Sequence, residues 1–321
     1  MKRALITGIT GMDGSHMADL LLDKNYVIFG LQRRTSTKTT ENIAHILNKI
    51  NILHGDLTDQ FSLNKAIEIA EPDEVYNFAA QSFVEESFNS PEFTSQVNGL
   101  GVLRILEAIR SHRRPVKFYQ ASTSEIFGLP TELPQTENTK FHPRSPYGVA
   151  KLFGHWITKN YREAYGMFNV CGIGFNHESE RRGYNFVTRK ITMNIARIKL
   201  GLSTGFSLGW LGAKRDWGYS PDYVRAMWLM LQQDEPDDYI IATGESHTVK
   251  EFLEKAFVIA ELGDWRNYIT TDKNLYRPSE VPDLLGDPSK TKDKLDWSPK
   301  VGFEEMINIM IEKDIERLES P

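Results

Sequence analysis

The chain has 321 residues, of which 40% are hydrophobic and 25% charged, and its formal net charge at pH 7 is −5. This composition is ordinary for a globular protein and excludes a fibrous or disordered chain. The negative balance argues against a nucleic-acid coat or a polybasic membrane binder. Cys171 is the single cysteine, so no internal disulfide can form and a reducing, cytoplasmic location is expected.

No targeting, membrane-spanning or zinc-binding pattern stands out. Too few apolar residues follow the basic start of the chain for a signal-peptide core, and no apolar run has the length of a membrane span. The sequence contains no CxxC pair and no HExxH motif. We therefore expect a metal-free protein with no membrane or nucleic-acid partner.

Short β-rich runs alternate with amphipathic stretches over the first 175 residues. Strands are predicted at residues 4–7, 27–31, 50–54, 74–78, 116–121 and 169–175. Helices are predicted at residues 15–23, 60–69, 97–109 and 147–165. This alternation is typical of a parallel sheet with helices on both faces, which binds ligands beyond the carboxyl ends of its strands. The expected fold class is α/β, with a Rossmann-type, doubly wound parallel sheet.

The second half is less regular and is expected to add a smaller α/β substrate-binding domain. Helices are predicted at residues 186–200 and 223–232, and a strand at 239–242. Phe303, Ile307, Met310, Ile311 and Ile315 recur at helical spacing and predict a C-terminal helix. Residues 179–218 and 267–287 are interpreted as binding loops. The expected division assigns residues 1–175, with about 217–245 returning, to a dinucleotide-binding domain. Residues 176–216 and 246–321 form the second domain.

A glycine-rich turn, GITGMDG at residues 8–14, lies between the first predicted strand and helix. Glycine permits a tight turn and lets phosphate approach the backbone, while the helix N-terminus supplies N–H groups and a partial positive charge. The GxxGxxG spacing is the variant seen in short-chain dehydrogenase/reductase enzymes. It predicts a dinucleotide site that includes Gly8, Thr10, Gly11, Met12, Asp13 and Gly14.

Two arginines stand at the end of the second predicted strand. An NAD site carries an acidic residue there, whereas Arg33 and Arg34, with Ser36, suit the 2′-phosphate of NADP. The alternative is a solvated pair of surface arginines. Asp56 and Leu57, after the third strand, are expected at the adenine. Phe78, Ala79, Ala80, Gln81 and Ser82, after the fourth, are expected below the nicotinamide ribose.

Tyr147 and Lys151 lie four residues apart at the start of a predicted helix and share one of its faces. A lysine beside a phenol stabilises the phenolate and lowers its pKa, which makes the tyrosine a usable base near neutral pH. No other tyrosine of the chain has a lysine four residues later. The alternative is a tyrosine on the helix surface.

The fifth predicted strand runs into STSE at residues 122–125. Thr123 and Glu125 project to the same side of an extended chain, so both are expected to face one ligand. The Thr123 hydroxyl is expected to hydrogen-bond the substrate oxygen beside Tyr147. A carboxylate here is the second base that a dehydratase needs, and that an epimerase or a simple reductase does not need. The alternative is a solvated glutamate.

Several segments spread over nearly the whole chain carry a resemblance to a known enzyme family. They are FYQASTSE (118–125), PRSPYG (143–148), FNHES (175–179), NFVTRK (185–190), AKRDWG (213–218) and AMWLMLQ (226–232). Together with ITGITG (6–11) and WSP (297–299), they make the chain resemble the GDP-mannose 4,6-dehydratase family. Some of these motifs occur in all extended short-chain dehydrogenases, but the combination is specific to this family.

The resemblance implies a role for each matching residue. It makes Thr123, Glu125 and Tyr147 catalytic, with Lys151 assisting, and it adds His177 and Arg182 to the cofactor shell with Tyr147 and Lys151. The implied substrate-binding residues are Ser82, Thr123, Ser124, Glu125, Asn176, Asn185, Val187, Lys190, Arg215, Arg277 and Glu280. The cations that a diphosphate needs are also present in the predicted loops, namely Arg189, Lys190, Lys214, Arg215 and Arg277. The alternative for these cations is a solvated face.

The implied reaction is the NADP-dependent 4,6-dehydration of GDP-mannose. Tyr147 takes the proton of the sugar 4-hydroxyl while a hydride leaves carbon 4. Glu125 removes the carbon 5 proton and returns a proton to the water that leaves carbon 6, where the hydride is finally delivered. The alternatives are another nucleotide sugar such as a GDP-heptose, a bifunctional dehydratase/reductase, a nucleotide-sugar epimerase, and an NADP-sensing protein without catalysis.

The family forms tetramers in which the loop after the second strand meets an adjacent cofactor site. The resemblance therefore implies a homo-oligomer, a dimer or a tetramer, with residues 34–40 near a neighbouring subunit. The alternative is a mobile polar loop, because this segment has the composition of a turn.

Several positions depart from the family pattern. Met12 replaces a glutamine, Gly174 a leucine, Glu180 a proline, Trp210 an asparagine and Gly212 an aspartate, and Pro282 interrupts a recurrent run. We expect a reshaped wall near the sugar or its diphosphate. Our hypothesis is that the Trp210 indole fills the volume vacated at Gly174; the alternative is that the two positions never touch.

Overall fold

The structure is a computed structural model, and it describes residues 1–37, 39–276, 279, 281 and 283–319. The strands are β1 (Arg3–Thr7), β2 (Val27–Gln32), β3 (Asn51–His54), β4 (Glu74–Asn77), β5 (Lys117–Thr123), β6 (Asn169–Gly174), β7 (Asn176–Glu178), β8 (Phe206–Leu208), β9 (Lys214–Arg215), β10 (Trp217–Tyr219), β11 (Asp238–Ile241), β12 (His247–Thr248), β13 (Ile269–Thr271) and β14 (Asp283–Leu284). The helices are α1 (Met12–Asp23), α2 (Gln60–Ala70), α3 (Glu86–Asn89), α4 (Pro91–Ser95), α5 (Gly101–Arg110), α6 (Pro146–Tyr165), α7 (Val187–Lys199), α8 (Ser220–Leu231), α9 (Val249–Ile259), α10 (Ser289–Leu295) and α11 (Phe303–Glu319).

Within the described residues, one parallel sheet of seven strands has the order β11-β6-β5-β4-β1-β2-β3. Strand β1 pairs with both β2 and β4, so the strand order reverses beside β1. Such a reversal opens a crevice at the carboxyl ends of the strands. The predicted α/β class and the doubly wound Rossmann-type sheet are confirmed.

Alternate residues of β1 show why both faces of the sheet are covered. Leu5 packs with Ile67 in the cluster built from α2 and α5. Ile6 packs with Met17 and Met230 in the cluster on the opposite face, built from α1 and α8. Successive side chains of a strand point to opposite faces, so a continuous apolar run requires helices on both sides.

The boundaries of several elements differ from the predicted ones. Helix α1 begins at Met12, earlier than predicted, because the glycine turn leads directly into it with Gly11 at the N-cap. The helix predicted at 97–109 begins as a π-helical turn, Gln96–Leu100, before α5. Helix α9 was not predicted; a capping box between Thr248 and Glu251 starts it.

The second half of the chain builds a separate apolar cluster. Helices α7, α9 and α11 meet around Phe252, Ile307 and Trp217. Short strand pairs form outside the main sheet, β7 with β10 and β8 with β13, and they contribute Leu208, Trp217 and Ile269 to this cluster. In the part of the chain that the structure describes, no helix is long and apolar enough to cross a membrane.

Candidate active site

The glycine turn brings the β1–α1 connection against the end of β4. Gly8 has a φ of +67°, and a Cβ atom there would lie 2.8 Å from the backbone nitrogen of Ala79. A Cβ atom at Gly14 would lie 2.3 Å from the carbonyl oxygen of Gly8. Only glycine fits at either position, which leaves the backbone N–H groups at the start of α1 open to a phosphate.

A cavity of about 450 Å³ opens over this turn, at the carboxyl ends of β1, β2, β3 and β4. The predicted cofactor residues that line it are Gly8, Thr10, Gly11, Met12, Asp13, Gly14, Arg33, Asp56, Leu57, Phe78, Ala79, Ala80, Gln81, Ser82 and Arg182. The structure therefore brings together residues from four strand ends and from the loop that precedes α7. A cavity of this volume is typical of a small-molecule or cofactor site.

Arg33 lies at the end of this cavity that β2 forms, and its side chain is exposed. Arg34 and Ser36 are also exposed but do not line the cavity. Among the described residues, neither arginine has a carboxylate partner within ion-pair distance. Their charges are therefore available to an anionic ligand, and the alternative of a solvated pair is still open for Arg34.

The four predicted catalytic residues lie where β5 ends and α6 begins. Tyr147 and Glu125 are each 8% exposed, which excludes a surface tyrosine and a fully solvated glutamate. The Thr123 hydroxyl lies close enough to the phenol of Tyr147 to lower the pKa of that phenol. Ser145 caps α6, because its side chain accepts a hydrogen bond of 3.0 Å from the backbone nitrogen of Gly148.

The extended-chain argument for Thr123 and Glu125 was wrong. The strand ends at Thr123, and residues Ser124–Ile126 form a 3₁₀ turn. The backbone nitrogen of Glu125 donates a 3.3 Å hydrogen bond to Oγ1 of Thr123. The two residues are neighbours because the threonine caps this turn, and not because they alternate along a strand.

Burial dominates the protonation of the tyrosine and the lysine. It raises the pKa of Tyr147 to about 12, with a further increase from the Glu125 carboxylate, while the Thr123 hydrogen bond and the charge of Arg182 oppose it. Burial lowers the pKa of Lys151 to about 8. Contrary to the prediction, the pKa of the Tyr147 phenol is raised, and Lys151 is not among the groups that lower it. The lysine instead donates a 2.9 Å hydrogen bond to the carbonyl oxygen of Ala121.

A chain of buried polar groups leads from the glycine turn to this carbonyl. The Thr7 hydroxyl donates to Oδ1 of Asn77 over 2.6 Å, and Nδ2 of Asn77 donates to Oε1 of Gln120 over 2.8 Å. Nε2 of Gln120 then donates to the Ala121 carbonyl oxygen over 3.0 Å. Thr7 ends β1, Asn77 ends β4 and Gln120 lies on the neighbouring β5, so one network across three adjacent strands connects the cofactor turn with the carbonyl that holds the lysine.

His177 lies under the glycine turn and pairs with Asp13. Its Nε2 atom is 3.0 Å from Oδ2 of Asp13, and its ring stacks on Tyr223 with the centroids 4.6 Å apart. Burial alone would raise the pKa of Asp13, but the charge and hydrogen bond of His177 outweigh it and hold that pKa well below its usual range. Burial opposes the charged imidazole, and Asp13 overcomes this and raises the pKa of His177.

The residues implied for the nucleotide sugar are more dispersed. Ser124 lies beside Glu125, Asn176 begins β7, and Asn185 and Val187 are exposed next to the N-terminus of α7. Lys190 lines a second cavity of about 370 Å³ with Tyr184, Arg197 and Arg317. Arg215 is buried and donates 2.7–2.8 Å hydrogen bonds to the carbonyls of Lys214 and Val281. Arg277 and Glu280, like Pro282, lie outside the described residues.

Arg189 was wrongly counted among the cations available to a diphosphate. Its side chain is 2% exposed and forms a buried ion pair with Asp314, with 2.6 Å between Nη2 and Oδ1. A guanidinium already neutralised in the interior is not free for a ligand.

The hypothesis that Trp210 compensates for Gly174 was also wrong. Within 4 Å of a Cβ atom at Gly174, His177 is the one non-neighbouring residue that the structure describes, with its Cε1 atom 3.4 Å away. The indole of Trp210 instead lies over Gly212, where a Cβ atom would be 2.8 Å from its Nε1 atom. Trp210 and Gly212 are therefore the coupled pair, because the ring occupies the space that a side chain at position 212 would need.

Several residues of the site were not predicted from the sequence. Leu31, Gln32, Gly55, Phe93 and Val97 line the cofactor cavity but were not predicted. Phe93 lies far from the strand ends in sequence, on α4, and no local motif marks it. Asn77 and Gln120 were also missed. Their signal was available, because each is an amide at the end of a run of buried strand residues.

Comparison with known proteins confirms the resemblance seen in the motifs. Residues 5–310 match the family model described as GDP-mannose 4,6 dehydratase. The chain is 52% identical to GDP-mannose 4,6 dehydratase 1 of Arabidopsis thaliana, over 98% of this chain and 90% of that protein. It is 50% identical to the GDP-mannose 4,6 dehydratase of Homo sapiens, over 98% and 91%. A solved structure, the Thermus thermophilus UDP-glucose 4-epimerase in complex with NAD, superposes with a TM-score of 0.85 at 28% identity, over 97% of this chain and 98% of that one. The chain belongs to the GDP-mannose 4,6-dehydratase family.

Proposed function

We propose that this protein catalyses the NADP-dependent 4,6-dehydration of GDP-mannose to GDP-4-keto-6-deoxymannose. One observation carries the proposal: Thr123, Glu125, Tyr147 and Lys151 meet at the end of β5, beside a cavity built on a glycine turn. Family membership supports the same reaction.

The residues that line the cavity have the chemistry that NADP requires. The Gly8 and Gly14 contacts leave no room for side chains beside a diphosphate, and the backbone at the start of α1 supplies donors for it. Arg33 supplies the charge for a 2′-phosphate, with Arg34 and Ser36 next to it. When bound, NADP would supply the nicotinamide that takes up and gives back the hydride of the sugar. We assign the predicted cofactor residues, with Tyr147, Lys151 and His177, to this site.

Tyr147 is the base that takes the proton of the sugar 4-hydroxyl. With a pKa of about 12, the phenol is protonated at neutral pH and needs nearby positive charge to release its proton. The Thr123 hydroxyl and the charge of Arg182 already lower this pKa. Lys151 is held behind the tyrosine by the Ala121 carbonyl, with Nζ 5.9 Å from the centroid of the phenol ring.

Glu125 is the base and acid of the elimination. Once carbon 4 is a ketone, the proton on carbon 5 becomes acidic. The buried carboxylate of Glu125 then removes this proton. The same group then protonates the hydroxyl that leaves carbon 6 as water. An epimerase needs no group in this role, so Glu125 favours the dehydratase over that alternative.

We extend the proposal to the substrate-binding residues and to the division of the chain into two parts. We assign the implied substrate residues, from Ser82 to Glu280, to the GDP-sugar. We also propose the division into a dinucleotide-binding part (1–175 and about 217–245) and a GDP-sugar-binding part (176–216 and 246–321). Two observations support this division. Strand β11 pairs with β6 and so belongs to the sheet of the first part, whereas α7, α9 and α11 of the second part build a cluster of their own.

We also propose a cytoplasmic location, with which the single, buried cysteine is consistent.

We propose a homo-oligomer, a dimer or a tetramer. One face of α6 supports it, because Val149, Phe153 and Trp156 recur at helical spacing and are 57%, 43% and 50% exposed. An exposed apolar stripe of this kind is typical of a surface that another subunit covers. The segment 34–40 is proposed to approach a neighbouring subunit; Lys38 lies outside the described residues.

The test is to incubate the protein with GDP-mannose and NADP and to identify the sugar by mass and NMR. The proposal expects loss of one water and a 4-keto-6-deoxy sugar. Glu125→Gln should lower turnover by roughly a hundredfold. The control is Glu163→Gln, which makes the same change at an exposed position on α6 and should leave turnover unchanged. A 4-epimer, a reduced sugar, better turnover of a GDP-heptose, or binding without turnover would each support a different alternative.

A further inference from the structure

A fully buried ion pair between Arg189 and Asp314 joins α7 to α11. Asp314 is 0% exposed. Nε of Arg189 donates to Oδ2 of Asp314 over 3.0 Å, and Nη2 lies 2.6 Å from Oδ1. Thr192 donates a further 2.7 Å hydrogen bond to the same carboxylate, and Arg317 approaches it to 3.2 Å. Two parallel contacts fix the plane of the guanidinium.

The third nitrogen of Arg189 acts on a different part of the chain. Nη1 donates hydrogen bonds to the carbonyl oxygens of Glu180, over 2.5 Å, and Arg182, over 2.9 Å. Both carbonyls belong to the loop between β7 and α7. Because Asp314 occupies Nε and Nη2, Nη1 is held in the orientation that reaches both. Residues of the C-terminal helix thereby fix the backbone of this loop.

This loop carries Arg182 into the cofactor cavity. The Arg182 side chain lines the cavity, with Nε 3.0 Å from Oε2 of Glu178 and the guanidinium carbon 3.6 Å from the ring centroid of Phe186. Its charge also lowers the pKa of Asp13 and opposes the raised pKa of Tyr147. The position of one guanidinium therefore affects both ends of the site.

We propose that Arg189 and Asp314 are positioning residues of the active site, which hold the backbone of residues 180–182 so that Arg182 reaches the cofactor cavity. Neither residue lines the cavity, and both act through Arg182. The proposal rests on the proposed NADP site. A purely structural ion pair would stabilise the fold without a specific effect on cofactor affinity.

The first test measures NADP affinity by titration of the purified protein. Asp314→Asn keeps the shape but removes the charge that fixes Arg189, so NADP should bind about tenfold more weakly, the effect of one hydrogen bond to a charged group. In an Arg182→Ala background, Asp314→Asn should cause no further loss. Met310→Ala, a buried change on the same helix, should lower the melting temperature and leave NADP affinity unchanged.

The second test needs no cofactor. Trypsin cleaves after Arg181 and Arg182, so release of the loop should increase cleavage there by about tenfold in Asp314→Asn. Cleavage sites mapped by mass spectrometry should not change in Met310→Ala. If Asp314→Asn does not fold, the apolar pair Arg189→Met with Asp314→Leu removes the same contacts without a buried charge, and the same weaker binding and faster cleavage are expected.

Unchanged NADP affinity and unchanged cleavage in a folded variant would overturn the proposal. So would an equal loss of affinity with and without Arg182. If the wild-type protein does not bind NADP, the proposed function fails, but the cleavage experiment still decides whether the ion pair holds the loop.

Discussion

His177 donates a hydrogen bond of 3.0 Å to the carboxylate of Asp13, and its other ring nitrogen lies 2.7 Å from the carbonyl oxygen of Phe175. A carboxylate and a carbonyl only accept hydrogen bonds, so both ring nitrogens donate and the imidazole is positively charged. The pair places one fixed positive and one fixed negative charge directly below the glycine turn.

This pair predicts a pH dependence of stability. Because the pKa of His177 is raised above its ordinary value of 6.5, its contribution is complete below about pH 6.5 and is lost as the pH rises through the raised pKa. The difference in melting temperature between the cofactor-free wild type and His177→Gln should therefore shrink as the pH rises. His45→Gln, at a half-exposed pair with Asp19, is the control. A difference that grows with pH would contradict the charged imidazole.

The position of Arg33 predicts the choice of cofactor. Arg33→Asp should weaken NADP by about 10- to 100-fold, because a charge-assisted hydrogen bond is lost and repulsion is added. It should affect NAD far less. Arg113→Asp makes the same charge change at an exposed site away from the cavity. Equal losses for both dinucleotides in titrations of Arg33→Asp would show that this arginine does not read the 2′-phosphate.

Gly174 predicts a coupling to His177 rather than to Trp210. A leucine at position 174 would press on the imidazole, so Gly174→Leu should lower the melting temperature by a few degrees, as overpacking typically costs about 1–3 kcal/mol. The loss should be smaller in a His177→Ala background. The effects of Gly174→Leu and Trp210→Asn on the melting temperature should be additive in the double variant. Rescue of Gly174→Leu by Trp210→Asn would restore the hypothesis that the structure contradicts.

The apolar face of α6 predicts the assembly state. Trp156→Glu should dissociate the oligomer, because a charge in an apolar interface is left without a partner. Light scattering should then report a lower mass than for the wild type. Phe61→Glu, at another exposed aromatic residue on α2, should leave the mass unchanged. A wild-type protein that is monomeric and fully active at micromolar concentration would contradict the proposal.

The sequence predicted what local patterns encode. Apolar runs bounded by glycine or charged residues marked the strands of the main sheet, and the glycine turn and the Tyr147–Lys151 spacing marked the two halves of the site. It did not predict polar pairs between residues that are far apart along the chain. Arg189 and Asp314 are 125 residues apart, and nothing near either one indicates the other.

The structure also differs from the predicted chemistry of the site. The sequence placed Lys151 beside a more acidic phenol, but burial raises the pKa of Tyr147 and the Ala121 carbonyl holds the lysine. Burial and hydrogen-bond partners depend on the packed tertiary structure, and spacing along one helix does not report them. The same reason explains why the Trp210 and Gly174 hypothesis failed.

The fate of the hydrogen on carbon 4 of the sugar tests the proposed reaction most directly. GDP-mannose that carries deuterium at this carbon should be incubated with the protein and NADP, and the product examined by NMR and mass spectrometry. Internal transfer predicts that the deuterium appears on carbon 6 of the 4-keto-6-deoxy product, with no net change in the cofactor. Deuterium lost to solvent, or left on carbon 4 of the product, would contradict the account.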